Sequence, residues 1–354
     1  MASLVVQTSF IGDMVLTTPL IAELARQGPV DVLATPITAP LLANNPAVRR
    51  VILYDKRGAD RGPIGLWRAA RSTRELFDEG KKHPVGYDAA YLAQGSLRSA
   101  IAARLIGAKN YVGFSTSAGR ALYTKLVPYR EEKHHAERLW SLSTWAGRDA
   151  APPTGLRPSL YPGEKERDAI DALLSGNTAQ ASQQPTANSQ QPLVVLAPGS
   201  MWATKRWPFF AQLARLLSER YRLAIVGGAA EQDAARSIRN DAGVDMLDGT
   251  GALSLLGSAE LIGRAAAVVT NDSAPLHLAS AMNTPTVAIF GPTVPTFGFG
   301  PLATRNAIAG IDSLACRPCH RHGPRRCPLG HWRCMRDLSP EQVVRLVESV
   351  RTSS

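Results

Sequence analysis

The chain has 354 residues, room for two domains of ordinary size, and 45% of them are hydrophobic, enough for ordinary packed cores. Its 40 Lys and Arg outnumber 29 Asp and Glu, and the resulting +11 suits an anionic partner such as nucleic acid, a membrane surface or a phosphorylated substrate, or simply keeps the chain soluble. No run of about 18 uncharged apolar residues is present, which excludes a transmembrane helix, and four cysteines confined to Cys316–Cys334 argue against a disulfide-stapled secreted fold.

Low aromatic content, with Ala and Leu abundant, favours a helix-rich α/β protein. Met1–Thr8 lacks the basic start of a signal peptide and reads as a strand, so a cytoplasmic protein is expected, with contact at the inner membrane leaflet allowed by its charge. The spacing predicts a strand at Leu4–Thr8, a loop at Ser9–Asp13 and a helix over Met14–Arg26 that Pro19 bends or delays. Strands follow at Val30–Ala34 and, after the turn Asn44-Asn45-Pro46, at Val51–Tyr54. Next come a helix at Trp67–Phe77, a strand at Tyr87–Leu92, a helix at Ser99–Ile106 and a strand at Tyr111–Gly113. This alternation is the signature of a parallel sheet covered on both faces and defines a first domain over 1–155.

Pro152, Pro153 and Pro158 mark a change, and 156–192 reads as a linker region. It holds one helix, Gly163–Leu174, and the polar stretch Ser175–Gln191, which has too little apolar surface to fold alone. Alternation restarts with strands at Leu193–Ala197, Arg222–Val226, Ala267–Thr270 and Thr286–Phe290. Helices are expected at Trp207–Arg220, Glu231–Arg239, Leu255–Ala265 and Ala274–Ala281. A second domain over 193–338 results, followed at 339–354 by a terminal helix with Ser339 as its N-cap and Pro340 at its first position. Ligands of such doubly wound sheets sit beyond the C-terminal ends of the strands, and with two domains the natural site is the cleft between them.

Four segments sit at such strand ends. Asp13, behind the turn at Gly12, is either a general base or a helix-capping carboxylate. Pro198-Gly199-Ser200 and Thr204-Lys205-Arg206 offer hydroxyls and an ammonium at an expected helix N-terminus, a phosphate site or an ordinary capped helix. Gly227-Gly228 permits close approach of a ligand, and Glu231 is either a partner for ribose hydroxyls or a first-turn carboxylate favoured by the helix dipole. Asn271–His277 follows an apolar strand; Asp272, Ser273 and the N–H groups of Ala274 and Leu276 are expected to line a polar pocket mouth, with His277 one turn along. The sequence contains no Asp-x-Asp pair of the kind that bridges a divalent metal to a diphosphate.

The order and spacing of these blocks resemble the bacterial glycosyltransferase family that includes the ADP-heptose:lipopolysaccharide heptosyltransferases (glycosyltransferase family 9). The resemblance rests on Ser9–Asp13 with Leu16-Thr17-Thr18-Pro19, on Lys205-Arg206-Trp207-Pro208, on Asn271–His277 and on Gly291-Pro292-Thr293. The tail, with Cys327-Pro328-Leu329-Gly330-His331, looks most like the heptosyltransferase II branch. The resemblance implies a GT-B fold of two Rossmann-like domains, an inverting reaction without a required metal or cofactor, and ADP-heptose as donor. It places the base on Asp13, the donor diphosphate on Lys205 with Ser200 helping, and the nucleoside on Glu231; Thr204, from its hydroxyl and position, is counted with the donor-binding residues. Asp272 then meets the donor sugar, while Ser273, Ala274 and His277 line the pocket; Ala274 stands where the family more often has Gly. The implied acceptor is an anionic lipid-linked saccharide, for which Lys56, Arg57, Arg61 and Arg98 are candidate contacts.

Cys316, Cys319, Cys327 and Cys334 combine one spacing typical of zinc knuckles with two looser ones, so a structural zinc and a set of reduced thiols are both admissible. Two alternatives stand beside the heptosyltransferase reading. One is a GT-B enzyme using another nucleotide sugar. The other is a basic zinc-containing nucleic-acid-binding protein, against which stands the lack of any recognition motif, so no nucleic-acid partner is expected.

Overall fold

The computed structural model describes residues 1–78, 86–145, 151–175 and 191–352. The polar stretch Ser175–Gln191 therefore lies almost wholly outside the described residues. The chain separates into two compact units, Met1–Tyr161 and Pro162–Ser354.

In the first unit, strands β1 (Ser3–Gln7), β2 (Val30–Ala34), β3 (Arg50–Leu53), β4 (Tyr87–Leu92), β5 (Ala108–Phe114) and β6 (Lys125–Val127) form one parallel sheet in the order β3-β2-β1-β4-β5-β6. Helices α1 (Ile11–Ala25), α2 (Gly62–Asp78), α3 (Leu97–Ile106) and α4 (His135–Ser141) accompany it. β1 is buried along its whole length, the pattern of a strand covered on both faces. Helix α1 starts at Ile11, three residues before the expected start, because Asp13 reaches back to the N–H of Phe10 and fixes the first turn. Pro19 sits inside α1 without ending it. Its ring removes the N–H that Val15 would have used, and the Thr18 hydroxyl donates to the Val15 carbonyl instead at 2.8 Å. At the opposite end of the sheet, buried Asp31 takes a two-pronged bond from Arg49 at 2.8 and 2.7 Å and a third from the Tyr87 hydroxyl at 2.8 Å. These bonds match a buried carboxylate with donors on both oxygens.

In the second unit, β7 (Leu193–Ala197), β8 (Arg222–Ile225), β9 (Leu247–Asp248), β10 (Ala267–Asn271), β11 (Thr286–Ile289) and β12 (Asn306–Ala309) are parallel in the order β12-β11-β10-β7-β8-β9. Numbered within its own unit, each sheet has the order 3-2-1-4-5-6, the dinucleotide-binding arrangement whose winding reverses between the first and fourth strands. The edge strands β6, β9 and β12 escape sequence inspection: they are short, and their half-exposed residues carry no apolar run. Helices α5 (Glu164–Ser175), α6 (Phe210–Leu217), α7 (Gln232–Ala242), α8 (Leu255–Gly263), α9 (Ala274–Met282), α10 (Arg333–Arg336) and α11 (Pro340–Thr352) complete the unit. Helix α5, expected inside the linker, packs on α8, buries Ile170 and pairs Asp171 with Arg264. Helix α11 starts as expected, with Ser339 Oγ accepting from the Gln342 N–H at 3.3 Å, and Val343, Val347 and Val350 join the core of this unit.

Candidate active site

The reversal points of the two sheets collect the polar side chains. In the first unit the point lies between β1 and β4. Asp13 occupies the third position of α1; its Oδ2 accepts from the Ser9 hydroxyl and, at 3.4 Å, from the Phe10 N–H. Its Oδ1 lies 3.7 Å from Nε2 of His135, the first residue of α4, which packs against α1. The two side chains are 19% and 12% exposed, half-sheltered yet reachable. Burial lowers the pKa of His135, Asp13 opposes that shift and Arg138 adds to it; the net direction is down. At neutral pH His135 is therefore a neutral imidazole.

From the loop after β3, Lys56 Nζ donates to the Thr8 carbonyl, next to Ser9. Burial lowers its pKa, with help from Arg57 and Arg98. Gln94, after β4, donates to the hydroxyls of Thr8 and Ser99. Lys56 is thus brought to the Asp13 loop, whereas Arg57, Arg61 and Arg98 are exposed at the surface of the unit.

In the second unit the reversal lies between β7 and β10. Lys205 Nζ is 2.6 Å from Asp272 Oδ2, and the Thr293 hydroxyl donates to the same oxygen at 2.6 Å. Lys205 and Asp272 are only 11% and 10% exposed, so both charges are largely withdrawn from water and each needs the other. Lys205 does not open a helix as expected. It closes a single 3-10 turn, Ala203–Lys205, and α6 begins only at Phe210. Pro208 disfavours helical backbone at Trp207, whose N–H is instead bound by Asn271 Oδ1 at 3.2 Å. Asn271 Nδ2 donates to the Pro198 carbonyl at 2.7 Å, so this buried amide ties the loops after β7 and β10 together.

Several expected ligand contacts serve the protein itself. The Thr204 hydroxyl donates to the Pro324 carbonyl, and Ser273 Oγ donates to the Gly199 carbonyl at 2.9 Å. Glu231 accepts the Gly228 N–H at 2.8 Å, the capping arrangement. A Cβ on Gly199 would come within 2.9 Å of Glu231 Cγ, so glycine there lets the β7 loop lie against this side chain. The Leu276 N–H, expected to be available at the pocket mouth, bonds to the Ser273 carbonyl at 3.1 Å because the first turn of α9 closes on itself. Ser200 is buried and its Oγ accepts from Trp202 N–H at 3.4 Å; Ala274 is half-buried at the start of α9. His277 is buried on α9 with its ring edge-on to Phe299 at 6.2 Å.

The cysteine-bearing loop packs on this site. Gly323, at φ +84°, has its Cα face against the Lys205 stem: a Cβ would lie 3.1 Å from Lys205 Cε. The Arg317 side chain is 4% exposed and donates to the carbonyls of Ile311, Phe290 and Thr293. Cys319 Sγ donates to the Cys316 carbonyl at 3.0 Å, and Cys316 Sγ lies 3.9 Å from His331 Nε2. Burial pushes Cys334 up to about 11, so it is a thiol at neutral pH. Among the described residues no three His, Cys, Asp or Glu side chains are placed to hold a metal ion.

His135 and Thr293 escaped the sequence reading. The signal for His135 is a capping box: His134 Nδ1 accepts from Ala136 and Glu137 returns to the His134 N–H at 2.9 Å, which fixes a helix start at His135. Thr293 lies in a segment that the family resemblance covers, but nothing in its spacing points to Asp272.

This arrangement on two 3-2-1-4-5-6 sheets has close counterparts. Residues 83–332 match glycosyltransferase family 9 (heptosyltransferase). The chain belongs to that family. It is a family 9 glycosyltransferase also by overall likeness. It is 30% identical to lipopolysaccharide heptosyltransferase 1 of Pseudomonas aeruginosa, over 97% of this chain and 92% of the relative. It is 27% identical to lipooligosaccharide heptosyltransferase 2 of Haemophilus influenzae, over 96% of each. The solved structure of Escherichia coli ADP-heptose lipopolysaccharide heptosyltransferase II superposes with a TM-score of 0.76 at 25% identity, covering 99% of this chain and 98% of that one. The GT-B fold of this family 9 enzyme is thereby established, and relatives of both numbered branches match it along nearly its whole length.

Proposed function

We propose that this enzyme transfers a heptose from ADP-heptose to the lipopolysaccharide inner core, as the second heptose, with inversion and without a required metal. The observation that carries this reading is the Lys205–Asp272–Thr293 cluster at the β7/β10 reversal, where an open α/β sheet receives a nucleotide. The names of the matched relatives support heptose and lipopolysaccharide, and the cysteine tail supports the second branch.

In the proposed reaction an acceptor hydroxyl attacks the anomeric carbon of the donor, and its proton passes to Asp13 Oδ1, the oxygen that accepts from neither Ser9 nor Phe10. The bond from that carbon to the β-phosphate oxygen breaks, and ADP leaves with the electron pair. Lys205 neutralises the charge that develops on the leaving phosphate, with Ser200 beside it and Asp272 exchanging part of its hold on Lys205 for the donor sugar. Glu231, Ser273, Ala274 and His277 shape the donor pocket, and Thr204 holds the Pro324 loop in place. The second unit is the donor domain and the first the acceptor domain. Lys56, bonded to the Thr8 carbonyl, and Arg57, Arg61 and Arg98 offer charge to an anionic lipid-linked saccharide at the cytoplasmic side of the inner membrane. Titration calorimetry with ADP, ADP-sugars and UDP-sugars tests the reading. Selective binding of the adenine nucleotides is expected, and failure of every nucleotide to bind overturns it.

A further inference from the structure

The segment Phe290-Gly291-Pro292-Thr293 leaves the C-terminal end of β11, beside β10, whose own exit carries Asp272. Thr293 is 2% exposed, and its hydroxyl donates to Asp272 Oδ2 at 2.6 Å. Lys205 Nζ meets that same oxygen, also at 2.6 Å. The Asp272 N–H is bonded to the Ile289 carbonyl at 3.0 Å. Both the backbone and the carboxylate of Asp272 are thus tied to β11 and its exit. Among the described residues its Oδ1 takes no hydrogen bond.

The exit segment is itself held from outside. The buried guanidinium of Arg317 donates to the carbonyl of Ile311, to that of Phe290 at 2.9 Å and to that of Thr293 at 3.2 Å. The Cys319 N–H adds a bond to the Pro292 carbonyl at 2.9 Å. Three of the four carbonyls from Phe290 to Thr293 are therefore fixed by Arg317 and Cys319, which leaves the Thr293 hydroxyl little freedom of direction. The ion pair at Arg317 does not explain its burial. Asp312 stands 3.5 Å away and is itself fully exposed, so that pair contributes little. A guanidinium withdrawn from water costs stability unless carbonyls take its protons, and apolar packing would fill the same space without that cost. What Arg317 adds is a fixed position for the Thr293 loop.

The proposed reaction asks two things of Asp272. It meets hydroxyls of the donor sugar, and it yields part of its hold on Lys205 to the leaving phosphate. A second, fixed donor on Oδ2 reconciles them: it keeps the carboxylate plane in place and one lone pair satisfied as Lys205 turns to phosphate. We infer that Thr293, held by Arg317, is a positioning residue for sugar transfer, one that aims Asp272 Oδ1 at the donor sugar and frees Lys205 for the diphosphate. The inference rests on the transferase reading and adds a residue pair on which turnover, more than nucleotide binding, depends.

The test measures steady-state transfer from ADP-heptose by the full chain, with ADP affinity by calorimetry and a thermal melt for each variant. Thr293→Val removes the hydroxyl and keeps the shape. It should lower kcat by roughly 10- to 100-fold, the span of one hydrogen bond to a charged group, with the Kd for ADP, which carries no sugar, within about threefold of the parent. Thr293→Ser keeps the hydroxyl and should hold kcat within about threefold of the parent. Arg317→Lys keeps the charge but cannot span three carbonyls, so kcat should fall in the same direction. In the Thr293→Val background that further loss should be much smaller, because both residues act through one bond. A merely structural role would lower melting temperature and ADP affinity in the Val and Ser variants alike and make the two losses of kcat additive; that outcome overturns the inference. Parent-like kcat in Thr293→Val overturns it too, and the two Thr293 variants decide it even where Arg317→Lys folds poorly. A parent chain that neither binds ADP nor transfers heptose sinks the transferase reading and this inference with it. A parent that transfers, beside an equally active Thr293→Val chain, sinks this inference alone.

Discussion

His135 Nε2 stands 3.7 Å from Asp13 Oδ1, held there by the packing of α4 on α1. The contact is too long for a hydrogen bond. It leaves Asp13 with one oxygen engaged by the α1 cap and the other facing a neutral imidazole. A carboxylate so held is oriented as a base without being tied up by a cation.

Replacing Asp13 by Ala should lower transfer by at least about 100-fold, the range for loss of a positioned base. The fold should persist, with a stability loss of about 1 kcal/mol for the missing cap. Initial rates with ADP-heptose and a thermal melt check both parts; full activity in the Asp13→Ala enzyme removes Asp13 from the role of base.

Lys205→Met should weaken ADP binding by roughly 10- to 100-fold, as expected for one charge-assisted phosphate contact worth about 1.5–3 kcal/mol. It also leaves Asp272, 10% exposed, with Thr293 as its remaining named donor, so the variant should melt earlier than the parent. Asp272→Asn in the same background should recover part of that melting loss without recovering ADP affinity. Calorimetry and a melting series distinguish the two effects.

Acid should destabilise the first unit through His135. Its folded pKa is depressed below the ordinary 6.5, chiefly by burial, so the unfolded chain binds the proton more readily. The contribution is fully present above 6.5 and is lost as pH falls from 6.5 toward the folded value. His135→Gln should flatten that part of the stability curve, measured by urea unfolding at a series of pH values. An unchanged slope would show that His135 does not titrate differently on folding.

Asn271→Ala should cost on the order of 2–4 kcal/mol, because it strips partners from the buried Pro198 carbonyl and Trp207 N–H together. The loss should appear in chemical denaturation and, through the displaced 3-10 turn, in weaker ADP binding. Substituting His277, whose ring contact is with Phe299, should leave the Lys205 turn in place.

Much of the fold was legible because parallel strands buried on both faces are written as continuous apolar runs. Leu193–Ala197 and Ala267–Thr270 show this, and both are wholly buried. Helix starts were less legible. Asp13 moved one upstream by capping Phe10, and Pro208 with the Asn271–Trp207 bond moved another downstream to Phe210. Cap and loop bonds depend on which atoms meet, not on hydropathy.

The sequence by itself determined the two alternating α/β halves, the strand-end location of Asp13, Lys205 and Asp272, and the family that these blocks mark. Local spacing and apolar periodicity carry that information. Only the tertiary structure decided that Lys205, Asp272 and Thr293 converge on one carboxylate oxygen, and that His135 faces Asp13. It also decided that Thr204 and Ser273 spend their hydroxyl protons on backbone carbonyls. These pairs are separated by tens of residues or more, or by a turn whose direction a single bond sets. Their meeting is fixed by sheet order and loop packing, which no local pattern encodes.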